Sequence, residues 1–278
     1  MIEQLHKIWN IQNTHIAGDE FTGYESVYDQ LNYTKEDYDN DPENVTNNVF
    51  DVYRSVNLVP IIYYTHSGII KAIRDFANTK YNTIQSDVLG LGNNAGQKIN
   101  RFLFPNMMTA EPKGRGSNSL KDRFFNDDKL RRAIRICFEF RDGNNLVYPT
   151  AMRRALELVT GENVTNFKAQ NAKAIVEHLC PVLWGNIYDY SAGYGGRLLG
   201  ITSSNMRYNY IGIDPNTETI KYLNYLNNCI EEAIGIKGEI VQNVSEEYQT
   251  NNIDLAFSSP PYFNLEKYSD EETQCMVR

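Results

Sequence analysis

From residue 186 onward, short apolar runs alternate with stretches of helical spacing. Asn186 to Tyr190 predicts a strand, Arg197 to Ser204 a helix and Tyr208 to Ile213 a second strand. Thr217 to Ala233 predicts another helix, Gly238 to Gln242 a third strand and Ile253 to Phe257 a fourth. Parallel neighbours need a crossover long enough to hold a helix, so strands separated by helices imply a parallel sheet and an α/β fold.

Upstream the pattern changes. Residues 1 to about 57 are rich in Asn, Asp and Tyr, and Tyr33 to Asn48 shows little apolar periodicity, which predicts an irregular, partly helical arm. Leu58 to Tyr64 reads as a short edge strand interrupted by Pro60. Ile69, Ile70, Ile73 and Phe76 have helical spacing, with Ser67 as the N-cap. The Gly, Asn and Pro residues of 85 to 120 predict a loop. Leu120 to Phe140 predicts one amphipathic helix with an apolar stripe of Leu130, Ile134 and Phe138. Further helices follow from Pro149 to Thr160, ended by Gly161, and through Ile175, Val176 and Leu179, stopped by Pro181. The expected organisation is a mainly helical region over 1–160 and an α/β domain over 161–278.

At 278 residues and 41% hydrophobic, the chain is long enough for one large core or two modest ones. It has no apolar run of membrane-spanning length, and Met1-Ile2-Glu3-Gln4 lacks the basic and apolar regions of a signal peptide, so a cytoplasmic protein without a membrane partner is expected. The net charge of −8 argues against a general polyanion binder. Acidic residues crowd the first sixty positions, however, whereas Arg101 to Arg154 carries 12 of the 27 basic ones, so a polyanion would be met by one face only. Lys121, Arg123, Lys129, Arg131, Arg132 and Arg135 read first as a solvated helix face and second as a phosphate-tracking one. Cys137, Cys180, Cys229 and Cys275 are isolated, which predicts neither disulfide nor zinc site, and no metal is expected.

The chemistry gathers at the predicted strand ends. Asp189-Tyr190-Ser191-Ala192-Gly193-Tyr194-Gly195-Gly196 follows the first strand, where glycines allow a sharp turn and close approach of a ligand to main-chain amides. Asp214 ends the second strand at the spacing of a carboxylate that takes both hydroxyls of an adenosine ribose. Without a clean Gly-x-Gly-x-x-Gly, and beginning with an acid, the loop suits an amino or sulfonium group better than the pyrophosphate of a nicotinamide cofactor. Ser259-Pro260-Pro261-Tyr262 follows the fourth strand; its two prolines preset the backbone, and acceptors beside an aromatic ring suit a planar amine.

Taken in order, these motifs resemble those of the DNA amino-methyltransferases. Ser191 to Gly200 is also similar to a group of phage and prophage methylases. The resemblance covers about residues 160 to 270. It implies a Rossmann-like S-adenosylmethionine-dependent methyltransferase sheet, with Asn166, Phe167, Asp189, Ser191, Ala192, Gly193, Gly195, Asp214 and Asn243 at the cofactor. It further implies catalysis by Ser259, Pro260, Pro261 and Tyr262 on the exocyclic amino group of cytosine or adenine in DNA, by direct displacement on a base flipped out of the duplex. The restriction–modification or phage context leaves the choice of base open. Tyr190 departs from the family's Pro. The family's sheet has seven strands, so the resemblance implies a truncated chain, or a partner chain or missing C-terminal segment that completes the sheet. Two other readings stay open: a methyltransferase acting on RNA or a protein amide, and a defective remnant that binds cofactor or DNA without turnover.

Overall fold

The computed structural model describes residues 29–56, 59–60, 64, 66–79, 84–85, 88–89, 94–112, 118–140, 143, 146–161, 163–180 and 184–259. In chain order the elements are α1 (Lys35–Asn40), α2 (Pro42–Val56), α3 (His66–Asn78), β1 (Ile84–Gln85), β2 (Val88–Leu89), α4 (Gln97–Leu103), α5 (Leu120–Phe125), α6 (Asp127–Glu139), α7 (Pro149–Leu158), α8 (Ala169–Leu179), β3 (Trp184–Asp189), α9 (Gly196–Thr202), β4 (Arg207–Asp214), α10 (Thr217–Ile234), β5 (Glu239–Gln242) and β6 (Leu255–Ala256). They fall into two compact units, one drawn from Met1–His66 and Met108–Asn163 and the other from Ser67–Met107 and Val164–Arg278. Besides the break at 163/164, the chain crosses between the units at 66/67 and 107/108, which the sequence does not announce: residues 67–107 pack with the sheet.

The first unit is helical. The stretch expected to be irregular forms α1 and α2, because Thr34 and Asp37 make a capping box that supplies the starting N–H groups of α1 with partners. The expected single helix over 120–140 is two, since Asn126 ends α5 and its side chain accepts from Lys129 N to start α6. Leu130, Ile134 and Phe138 are fully buried as the stripe predicts, with Tyr38 stacked on Phe138 at 4.4 Å. Two of the basic residues turn inward. Arg123 is buried and donates to Leu156 O and Asn163 Oδ1, while Arg131 lies over the Phe50 ring at 4.0 Å. Lys121, Arg132 and Arg135 are exposed. Val59 and Pro60 are buried but lie in no strand; the rest of that expected edge strand, apart from Tyr64, lies outside the described residues.

The second unit is α/β. Its four-stranded sheet has the order β5-β4-β3-β6 with every pair parallel, running from Trp184↔Arg207 to Asp189↔Gly212 between β3 and β4. The predicted fourth strand is short, with only Ile187↔Leu255 and Tyr188↔Ala256 in register. Ile187, Tyr208, Tyr210 and Ile213 are buried on the sheet, as are Leu198, Leu199 and Ile201 on α9 and Leu223, Leu226 and Ile230 on α10. Buried positions alternate with more open ones along β3, and Trp184 at its start is 74% exposed.

The region expected to be a loop contains α4, and Asn100 within it donates to Tyr194 O at 2.7 Å. Upstream, α3 starts at His66, one residue before the expected cap, and buries the predicted Ile69, Ile70, Ile73 and Phe76. Lys173 of α8, itself buried, donates to Ala77 O and Thr79 O, closing the carboxyl end of α3 where a cation offsets unpaired carbonyls. These long-range contacts bind 67–107 to the sheet.

Candidate functional site

All the candidate residues that are described and that follow a strand lie at carboxyl ends. Asp189 closes β3, Asp214 closes β4, Asn243 follows β5, and Phe257 to Ser259 follow β6. Between β3 and α9 the chain turns through Gly193 and Gly195, with φ of 55° and 69°. A side chain at Gly195 would meet Leu226 and Phe104, and one at Gly196 would run into the Phe167 carbonyl. Beside Gly193, by contrast, the nearest atom to a built Cβ is Ser191 O at 3.8 Å. The Gly195 and Gly196 glycines therefore serve protein packing, and Gly193 is the one that leaves room against the main chain. Gly200, one turn on, fits because its missing side chain makes way for Ala169 O.

Asp189 has a different place from the one its sequence position suggests. Its carboxylate is fully buried and accepts four hydrogen bonds: from Arg197 Nε at 2.7 Å and Tyr210 Oη at 2.8 Å on one oxygen, and from Ser258 Oγ at 2.7 Å and Ser191 N at 3.3 Å on the other. A carboxylate has about four acceptor sites, so these donors use it up. Arg197 is buried too, and a guanidinium fork answers the carboxylate's charge. Burial works against that charge, but the Asp189 carboxylate outweighs it and holds the Arg197 pKa above its usual value. Arg197 also donates to Ser191 O and lies over the Phe167 ring at 5.4 Å. An amino group of a ligand thus meets no open acceptor on Asp189.

Asp214 keeps acceptors to spare. Gly193 N donates to one oxygen at 2.9 Å and Asn216 N to the other at 3.0 Å, leaving about one site on each. Its pKa is pushed up to about 6, chiefly by burial; the two main-chain N–H groups pull the other way, Asp189 adds to the rise and Arg197 opposes it. Asn216 also caps α10 through Thr219 N at 2.9 Å, so one short turn fixes both the helix start and the carboxylate.

Asn166 donates to Tyr194 O at 3.0 Å, the carbonyl that Asn100 also holds. Phe167 meets Phe257 edge-on at 5.5 Å, which joins the stretch before α8 to the end of β6. Ala192 is buried and its N–H donates to Ile213 O at 2.8 Å. Asn243 is half-buried, and its Oδ1 accepts from Val244 N. Ser259 is exposed; Pro260, Pro261 and Tyr262 lie outside the described residues. No group of His, Cys, Asp and Glu among the described residues could hold a metal ion, and none of the described helices is long and apolar enough to cross a membrane.

Three site residues escape the sequence reading: Arg197, Tyr210 and Ser258. The signal for Arg197 was present, since a single charge in Gly196-Arg197-Leu198-Leu199-Gly200-Ile201-Thr202 needs a buried partner. Tyr210 and Ser258 carry no such signal, because their bonds to Asp189 span 21 and 69 residues. No protein-family model, curated protein or solved structure matches the chain.

Proposed function

We propose that this chain is an S-adenosylmethionine-dependent methyltransferase with a Rossmann-like cofactor domain, acting on the exocyclic amino group of cytosine or adenine in DNA. One observation carries the reading. In the order β5-β4-β3-β6 the strand sequence reverses between β3 and β6, and open α/β sheets bind ligands at the carboxyl side of such a reversal. The glycine turn and the start of the Ser259 tetrad flank that crevice, with Asp214 one strand away. The residues present fit the cofactor: Asp214 has acceptor sites for two ribose hydroxyls, and the main chain at Gly193 is open to close approach.

When bound, S-adenosylmethionine would supply an electrophilic methyl group, to which an amino nitrogen bonds as the carbon–sulfur bond breaks, S-adenosylhomocysteine leaving as the neutral thioether and the nitrogen giving up a proton to solvent. The chain's own residues then bind and orient. Asp214 takes the ribose, Asn166 and Phe167 border the loop, and Asn243 stands at the adenine side. Asp189 anchors the loop from beneath instead of touching the cofactor. Ser259 Oγ and the Pro260 carbonyl accept the N–H groups of the target base, which localises its nitrogen lone pair, and Tyr262 stacks on the ring.

The test is methyl incorporation from labelled S-adenosylmethionine into duplex DNA, RNA and protein, with nucleosides identified by mass spectrometry. Label in DNA as N4-methylcytosine or N6-methyladenine is expected, together with loss of label for Ser259→Ala and Tyr262→Ala. Transfer to RNA or protein alone would overturn the DNA assignment, and cofactor binding without transfer to any acceptor would overturn the catalytic one.

A further inference from the structure

Asp189 takes two bonds on the oxygen that faces Ser258, and one of them decides how the neighbouring hydroxyls point. A carboxylate in an ion pair only accepts, so the Ser258 proton is committed to Asp189 Oδ1 at 2.7 Å. Ser258 Oγ and Ser191 Oγ lie 2.6 Å apart. With the Ser258 proton spent, the proton in that contact comes from Ser191. The remaining polar groups of Ser191 are also held within the protein: its N–H goes to Asp189 and its C=O accepts from Arg197. What Ser191, a half-buried residue of the glycine turn, has left is the pair of acceptor sites on its Oγ. Chained hydroxyls polarise one another, so part of the buried carboxylate's negative character reaches that oxygen.

We infer that Ser258 is a positioning residue that turns Ser191 Oγ into an obligate acceptor, and that this oxygen takes a positively charged donor, the ammonium of the cofactor's amino-acid moiety. The inference rests on the proposed S-adenosylmethionine site. It replaces the direct contact that the position of Asp189 suggests with one relayed through two serines. A loop that begins with an acid thereby selects a cation although the acid itself is saturated.

The test compares two neutral thioether ligands that share the adenosine part and differ only in the amino-acid part, S-adenosylhomocysteine and 5′-methylthioadenosine, by calorimetry on the full chain. In wild type the first binds more tightly. In Ser258→Ala the Ser191 proton is freed to point outward, and the ratio of the two affinities falls roughly tenfold, the size of one lost charge-assisted hydrogen bond. Ser258→Thr keeps a hydroxyl and restores the ratio. Circular dichroism establishes that each variant is folded. If Ser258→Ala weakens both ligands equally, or neither, the relay is wrong while the cofactor site stands. If wild type binds neither ligand, the cofactor reading falls and the relay with it.

Discussion

Replacing Asp214 with Asn should stabilise the protein at neutral pH while weakening its site. The carboxyl is raised from the ordinary 3.8 to about 6, mainly by burial. A group whose pKa is higher folded than unfolded binds protons more readily when folded, so stability falls as pH rises between the two values. The full penalty applies above about pH 6 and vanishes below about pH 4. A rise of about two pH units corresponds to about 3 kcal/mol. Asparagine removes that penalty but returns only one acceptor. Of Gly193 N and Asn216 N, one keeps a partner and the other faces an NH₂, a loss of about 1–2 kcal/mol. The net is a gain of about 1–2 kcal/mol at pH 8 and a loss of about 1–2 kcal/mol at pH 4. Urea denaturation of both proteins at several pH values, followed by circular dichroism, reads this directly, because other titrating groups cancel in the difference. A difference that stays flat from pH 4 to pH 8 would refute the burial argument.

Other outcomes follow from the same geometry. Arg197→Met leaves the Asp189 carboxylate buried without its counter-charge and should destabilise by about 3–5 kcal/mol in the same denaturation experiment. Gly200→Ala places a methyl group against the Ala169 carbonyl and should lower stability by about 1–3 kcal/mol, whereas alanine at Gly235, where no atom lies within 4 Å, pays only for its positive φ. Cys229 is buried with its pKa pushed up to about 11, so peptide mass spectrometry after iodoacetamide at pH 8 should find it unmodified in the folded protein. Affinity for S-adenosylmethionine should fall as pH drops through about 6, where Asp214 takes up its proton, and this loss should be absent from a variant lacking the carboxylate.

Local pattern carried the α/β half of the chain well, because parallel strands and their crossover helices each leave a short-range signature. The strands ending at Asp189 and Asp214 and the helix after Asn216 lie where periodicity puts them. It failed where folding is decided at long range. Residues 94–107 look like a loop, yet Asn100 reaches a carbonyl 94 positions on. Asp189 was the clearest case at the site: a buried Arg in a short apolar helix, a strand tyrosine and a serine from beyond β6 absorb a charge that the motif alone offers to a ligand. Neighbouring residues fixed where Asp189 stands, while distant ones fixed what it can still bind.

Titrating the full chain with S-adenosylmethionine and with NAD in a calorimeter shows whether the turn at Gly193 and the carboxylate of Asp214 hold an adenosyl cofactor. One-to-one binding of S-adenosylmethionine is expected, with a loss of about tenfold or more in Asp214→Ala where two hydroxyl acceptors disappear, and no comparable binding of NAD. Absence of binding to S-adenosylmethionine, or equal affinity in wild type and Asp214→Ala, would contradict the cofactor reading.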